Sequence, residues 1–124
     1  MKPFRISDRL HSFSYAWKGI RRFVGQEHNA WIHCMAVAAV TCAGFCFGIT
    51  RSEWIAVVFC FGLVLAAEGF NSAIERIVDL VSPERLPLAG EIKDIAAGSV
   101  LIAAIAAAII GIIIFLPYIL LYIK

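Results

Sequence analysis

The chain predicts an all-α integral membrane fold, an amino-terminal amphipathic surface helix followed by three transmembrane helices. Three observations carry that expectation. Of 124 residues, 61% are hydrophobic and 16% charged, against about 25% charged in soluble domains, and mean hydropathy is +0.85. Residues 30–49, 54–79 and 95–122 each reach the roughly 20 residues that cross a hydrocarbon core of about 30 Å. Six of the eleven Lys and Arg residues (Lys2, Arg5, Arg9, Lys18, Arg21 and Arg22) precede residue 23. The length suits one domain, residues 1–124, and a net charge of +2 is too small to suggest nucleic acid.

Residues 4–25 mix Phe4, Ile6, Leu10, Phe13, Tyr15, Trp17, Ile20 and Phe23 with basic residues. No window there is apolar enough to span, so a helix lying on the membrane surface is expected. Pro3 and Ser7 or Asp8 offer start signals and Gly25 a stop. The first link, Thr50 to Glu53, is so short that the spans it joins must be antiparallel neighbours. The second, Leu80 to Asp94, carries Pro83 and Pro87 as helix breakers. Gly44 and Gly48 form a Gly-x-x-x-Gly in the first span, and Gly98, Ala104, Ala108 and Gly111 a small-residue series in the third. Both patterns let backbones approach. Cys34, Cys42, Cys46 and Cys60 lie in apolar segments without a Cys-x-x-Cys and read as packing residues. The basic, mixed first thirty residues do not resemble a cleavable signal.

The arm before the first span and the second link hold nearly all the positive charge, whereas the first link has Arg51 and the carboxyl end Lys124. The positive-inside rule places the arm and second link in the cytoplasm.

Within the second span Glu68, Asn71, Ser72, Glu75 and Asp79 fall within about 100° of one another on a helix. They form a polar stripe descending from the membrane interior to the cytoplasmic interface. An ionised carboxylate within a span costs about 2.5–3.5 kcal/mol, so a divalent cation or a partner helix is expected to compensate it. Three helices leave little room to seal five polar groups, which favours a homo-oligomer. A stripe serving only helix–helix hydrogen bonds is the structural alternative. Glu68 and Glu75 stand about 10 Å apart along the axis, too far to chelate one ion symmetrically. Burial disfavours the charged form of a carboxyl group, which suits the deeper Glu68 to accept a proton and the outer Glu75 to bind metal. Lys93, near a helix amino-terminus, offers a point charge beside free backbone donors, a candidate phosphate site. Asp94 reads as a helix cap or a nucleotide contact. Glu27, with His28, Asn29 and His33 around it, is an interfacial carboxylate or a second ligand to a magnesium ion. No Gly-rich phosphate loop occurs, so any nucleotide site is built from helices.

The string Glu68-Gly69-Phe70-Asn71-Ser72-Ala73-Ile74-Glu75 with Asp79 resembles the signature of the small prokaryotic diacylglycerol kinase and undecaprenol kinase family. Lys93-Asp94-Ile95-Ala96-Ala97-Gly98 is similar to its second block, and Tyr15-Ala16-Trp17-Lys18-Gly19-Ile20, with Glu27 beyond, to its first. The resemblance covers essentially the whole chain. It implies a domain-sharing homotrimer in the bacterial cytoplasmic (inner) membrane. It also implies magnesium-dependent transfer of the ATP γ-phosphate to a lipid hydroxyl. Carried over, Glu68 is the general base, Glu27 and Glu75 hold the metal, and Tyr15, Asn71, Asp79, Lys93 and Asp94 position the nucleotide and phosphates. His28-Asn29-Ala30-Trp31-Ile32-His33 resembles the undecaprenol kinase branch, whereas the enterobacterial diacylglycerol kinases carry an acidic residue where His33 stands. The alternative of another class is a small oligomeric channel or transporter subunit using the carboxylates as an ion path. It would need polar groups continuing outward, and Trp54 to Ala67 offers no charge.

Overall fold

A computed structural model describes residues 5–84 and 86–123, which form four helices and no strand: α1 (Ile6–Gln26), α2 (His28–Phe47), α3 (Arg51–Val81) and α4 (Pro87–Ile123). Among the described residues, α2, α3 and α4 are long and apolar enough to cross a membrane. The accessible surface is 9845 Å², against about 6,600 Å² for a compact soluble monomer of this mass. Apolar side chains left outward on this scale suit a lipid solvent.

In α1 the apolar residues Ile6, Leu10, Phe13, Trp17 and Ile20 recur at helical spacing and are all exposed, as on a helix whose apolar face meets a bilayer. Phe4 and Pro3 lie outside the described residues. The expected start and stop signals act differently here. Arg5 is the N-cap without a side-chain bond, Ser7 and Asp8 lie inside the helix, and Gly25 is helical. The break falls at Glu27, whose extended backbone (φ −99°, ψ 120°) ends α1 and begins α2. Its side chain makes no capping bond and is free to serve another element.

The Gly44/Gly48 pair does not mediate a helix crossing. Gly48 takes a left-handed conformation (φ 63°) that ends α2, while Ile49 N–H donates to Gly44 O at 3.1 Å, a Schellman turn. A Cβ on Gly44 would stand 2.7 Å from Trp54 Cη2, so this glycine makes room for the indole. α3 then starts three residues earlier than the sequence suggests, because Thr50 and Glu53 form a capping box. Thr50 N–H donates to Glu53 Oε2 at 2.7 Å, and Tyr118 on α4 donates to the same oxygen at 2.8 Å. This clamp ties the start of α3 to the end of α4. Beneath it Ile49, Val57 and Ile114 form the buried cluster, flanked by Phe47, Trp54 and Phe115, with Phe47 tilted against Phe115 and Tyr118.

The second link is also shorter than expected, 82–86 rather than Leu80 to Asp94. Pro87 opens α4 instead of breaking it, since its missing N–H is no loss in a first turn. Lys93 and Asp94 therefore lie in the second turn of α4, beyond the free N–H groups of the helix start, and Asp94 is not a cap. α4 packs mainly on α3, α2 leans on α3 more lightly, and α1 touches α2 at the Glu27 corner.

Candidate functional site

The polar stripe lies along α3 at the end of the bundle where Glu27 and the 82–86 turn meet. Its burial is graded as expected. Glu68, Asn71 and Ser72 are 4%, 7% and 8% exposed, Glu75 is half-buried, and Asp79 is exposed. α3 is 31 residues long, about 46 Å, so it outruns the hydrocarbon core and carries its last turns into water. Within one chain α4 is the main neighbour of α3, with α2 packed on it more lightly.

Two rungs of the stripe reach other helices, Glu68 to α2 and Asp79 to α4. His33 Nε2 on α2 lies 2.8 Å from Glu68 Oε1, with both side chains largely buried. Asn71 donates Nδ2–H to Glu75 Oε1 at 3.2 Å, while among the described residues Asn71 Oδ1 is buried with no hydrogen-bond partner. Arg76 donates to Glu27 Oε1 at 2.8 Å and to Gln26 Oε1 at 3.2 Å, drawing the α1–α2 corner onto α3. Lys93 on α4 pairs with Asp79, across the hairpin that the 82–86 turn closes.

The fold therefore joins Glu68 to His33, Asn71 to Glu75, and Asp79 to Lys93. Glu27 reaches α3 but is engaged by Arg76, and no group of three or more His, Cys, Asp or Glu side chains suited to a metal forms among the described residues. Asp94 is exposed on α4. Tyr15 is exposed on α1, where Lys18 Nζ sits 5.6 Å from its ring centre. Arg76 is the site residue that sequence reasoning did not single out. Its signal was modest, a lone cation beside Glu75 and one turn from Ser72. The His33–Glu68 contact was more legible, since polar residues within spans commonly pair with one another.

One cavity borders the stripe at Ser72 and another begins at His33. One, of about 420 Å³, opens between α1 and α3, with Gly19, Arg22, Gly69, Ser72 and Arg76 on its walls. Gly19 and Gly69 have open space where a Cβ would stand. The other, of about 280 Å³, is an apolar cleft along α2, α3 and α4, from His33 past Val64 and Ala108 to Phe115.

The residues present fit a divalent cation. Asn71 Oδ1 is a buried oxygen without a donor among the described residues, one turn from the half-buried Glu75 carboxylate, and magnesium takes few protein oxygens when phosphate oxygens complete its shell.

A family profile described as prokaryotic diacylglycerol kinase matches residues 14–115. The chain is 39% identical over 106 residues to an undecaprenol kinase of Bacillus subtilis, spanning 86% of each chain. It is 38% identical over 109 residues to a diacylglycerol kinase of Synechocystis, covering 87% of this chain and 62% of that one. With a diacylglycerol kinase of Escherichia coli it shares 34% identity over 103 residues, 81% and 82% of the two chains.

Proposed function

The chain belongs to the prokaryotic diacylglycerol kinase family and is a membrane lipid kinase, and from that premise we propose that it transfers the γ-phosphoryl group of ATP to the hydroxyl of diacylglycerol or undecaprenol, with magnesium. The carrying observation is the graded stripe on α3, buried at Glu68 and exposed at Asp79. It offers a water-poor end for a lipid hydroxyl and a wet end for a nucleotide, on one rigid helix.

Glu68 accepts the proton of the lipid hydroxyl as its oxygen forms a bond to the γ-phosphorus. The bond from that phosphorus to the β,γ-bridging oxygen breaks, ADP leaves, and Glu68 returns its proton to solvent. Phosphoryl transfer demands chiefly positioning and charge neutralisation, which helices supply without a phosphate loop. Glu27 and Glu75, with Asn71 Oδ1, would hold a magnesium ion whose charge would neutralise the phosphate oxygens, and Glu27 would have to give up Arg76 to do so. Lys93, oriented by Asp79, presents its ammonium group to the phosphates, and Tyr15 and Asp94 contact the nucleotide. The Glu27 end faces the cytoplasm, where ATP is available, consistent with the basic arm, and the working unit is a homotrimer in the inner membrane.

An ion path is the weaker reading. Beyond Glu68 the buried residues of α3 are Val64, Cys60 and Val57, which give an ion no relay.

The test is incubation of purified protein with magnesium and γ-labelled ATP, with diacylglycerol and undecaprenol supplied separately in mixed micelles. Label in phosphatidic acid or in undecaprenyl phosphate supports the reading and names the acceptor. Label in neither, from protein that also fails to bind ATP, overturns it.

A further inference from the structure

Glu68 is the deepest carboxylate in the molecule, 4% exposed, yet one side chain from another helix reaches it. His33 Nε2 lies 2.8 Å from Oε1, within the range of a strong charge-assisted hydrogen bond. The contact links residues 35 apart in sequence, and α2 otherwise packs only lightly on α3. His33 also lines the inner end of the apolar cleft, so the carboxylate and its imidazole stand where an apolar molecule would meet the stripe.

We propose that His33 is a positioning residue for phosphoryl transfer, its imidazole holding Oε1 of Glu68 so that Oε2 is presented to the acceptor hydroxyl. The inference rests on Glu68 being the base. An ionised carboxylate only accepts hydrogen bonds, so the ring must donate Nε2–H to it. With one oxygen held, the carboxylate cannot turn about its terminal torsion, which is otherwise broad and two-fold. The acceptor's proton passes to Oε2, the lipid oxygen bonds to phosphorus, and the ring keeps its own proton throughout. His33 thus moves no proton and touches neither phosphate nor nucleotide. Its effect falls on the chemical step and not on ATP affinity.

A salt bridge that merely braces α2 against α3 would behave differently, and three variants separate the two. His33→Gln carries an amide nitrogen near the place of Nε2, His33→Asn carries the same amide one carbon short, and His33→Leu has no donor. Each is assayed with ATP and the lipid alcohol that the wild type phosphorylates, alongside Glu68→Gln and the double variant His33→Asn/Glu68→Gln. The expected result is a loss of about 100-fold in kcat for Asn and Leu with KM for ATP within about two-fold, the scale on which orientation and proton transfer contribute. Gln is expected to recover most of that loss, and the double variant to be no slower than Glu68→Gln alone, as groups acting as a unit are non-additive. Should Leu fail to fold, the Gln and Asn pair decides the matter, both being polar amides. Equal activity of Gln and Asn, or multiplying losses in the double variant, overturns the positioning role. Wild-type turnover by Glu68→Gln instead overturns the base reading itself, which tells the two failures apart.

Discussion

At the Thr50 end of the bundle, Glu53 accepts hydrogen bonds from Thr50 N–H, Thr50 Oγ1–H and Tyr118 O–H, all within 3.0 Å. At the opposite end Glu68 has one partner, His33, and Asn71 Oδ1 has none among the described residues. The first end is closed by aromatic rings and a glycine shaped to an indole. The second has a crevice between α1 and α3 with Gly19 and Gly69 on its walls, and His33 marks where the apolar cleft that runs on to Phe115 begins. Polar groups saturated by their neighbours hold a fold together, whereas buried groups left short of partners await a ligand. On the proposed function, folding stability and chemistry sit toward opposite ends of α3.

The sharpest way to break this division is Glu68→Gln. It is expected to lower turnover by about 10²- to 10⁴-fold while ATP binding, followed by calorimetry, stays nearly intact. Robust turnover would remove the carboxylate from the chemistry. Glu75→Gln is expected to raise the magnesium concentration for half-maximal activity by about tenfold or more, the cost of a lost charge-assisted contact, and an unshifted magnesium titration would dissociate Glu75 from the metal.

Changes at the closed end should act on stability instead. Gly44→Leu pushes a side chain into Trp54 and is expected to cost about 1–3 kcal/mol, read as a lowered unfolding temperature in detergent with the magnesium requirement unchanged. Thr50→Ala removes half of the capping box and is expected to cost about 1 kcal/mol by the same measurement. Arg76→Ala is the finest discriminator, since its pair with Glu27 is partly exposed and contributes about 0–1 kcal/mol to folding. Its expected signature is a magnesium requirement lowered by about two- to fivefold, because Glu27 no longer has a partner to surrender, a factor worth less than about 1 kcal/mol. A raised requirement would make Arg76 a support of the metal site rather than a competitor for it.

Much of this arrangement is legible in the chain alone. The long, predominantly apolar spans admit only helices, because backbone groups in lipid must bond within their own segment. The 3.6-residue period alone aligns Glu68, Asn71, Ser72, Glu75 and Asp79 on one face. Counting residues along a helix of known rise also gives the order of the stripe, from Glu68 to Asp79. The ends of helices did not follow. Pro87 reads equally as a breaker or as a first-turn residue, and only the structure, in which α4 begins at Pro87, decides for the latter, which moved Lys93 and Asp94 into the helix body. Gly25 likewise offered a stop that the helix ignored, and Glu27 became the corner.

What the tertiary structure alone decided is partnership. Periodicity says which residues of one helix share a face, but not how neighbouring helices are rotated or shifted along their axes. That relative placement set His33 against Glu68, carried Glu27 to Arg76 across roughly fifty intervening positions, and joined Tyr118 to Glu53 between the far ends of α4 and α3. Composition and local sequence dictated four helices and a stripe of carboxylates. The packing of side chains between helices determined which partner each carboxylate meets.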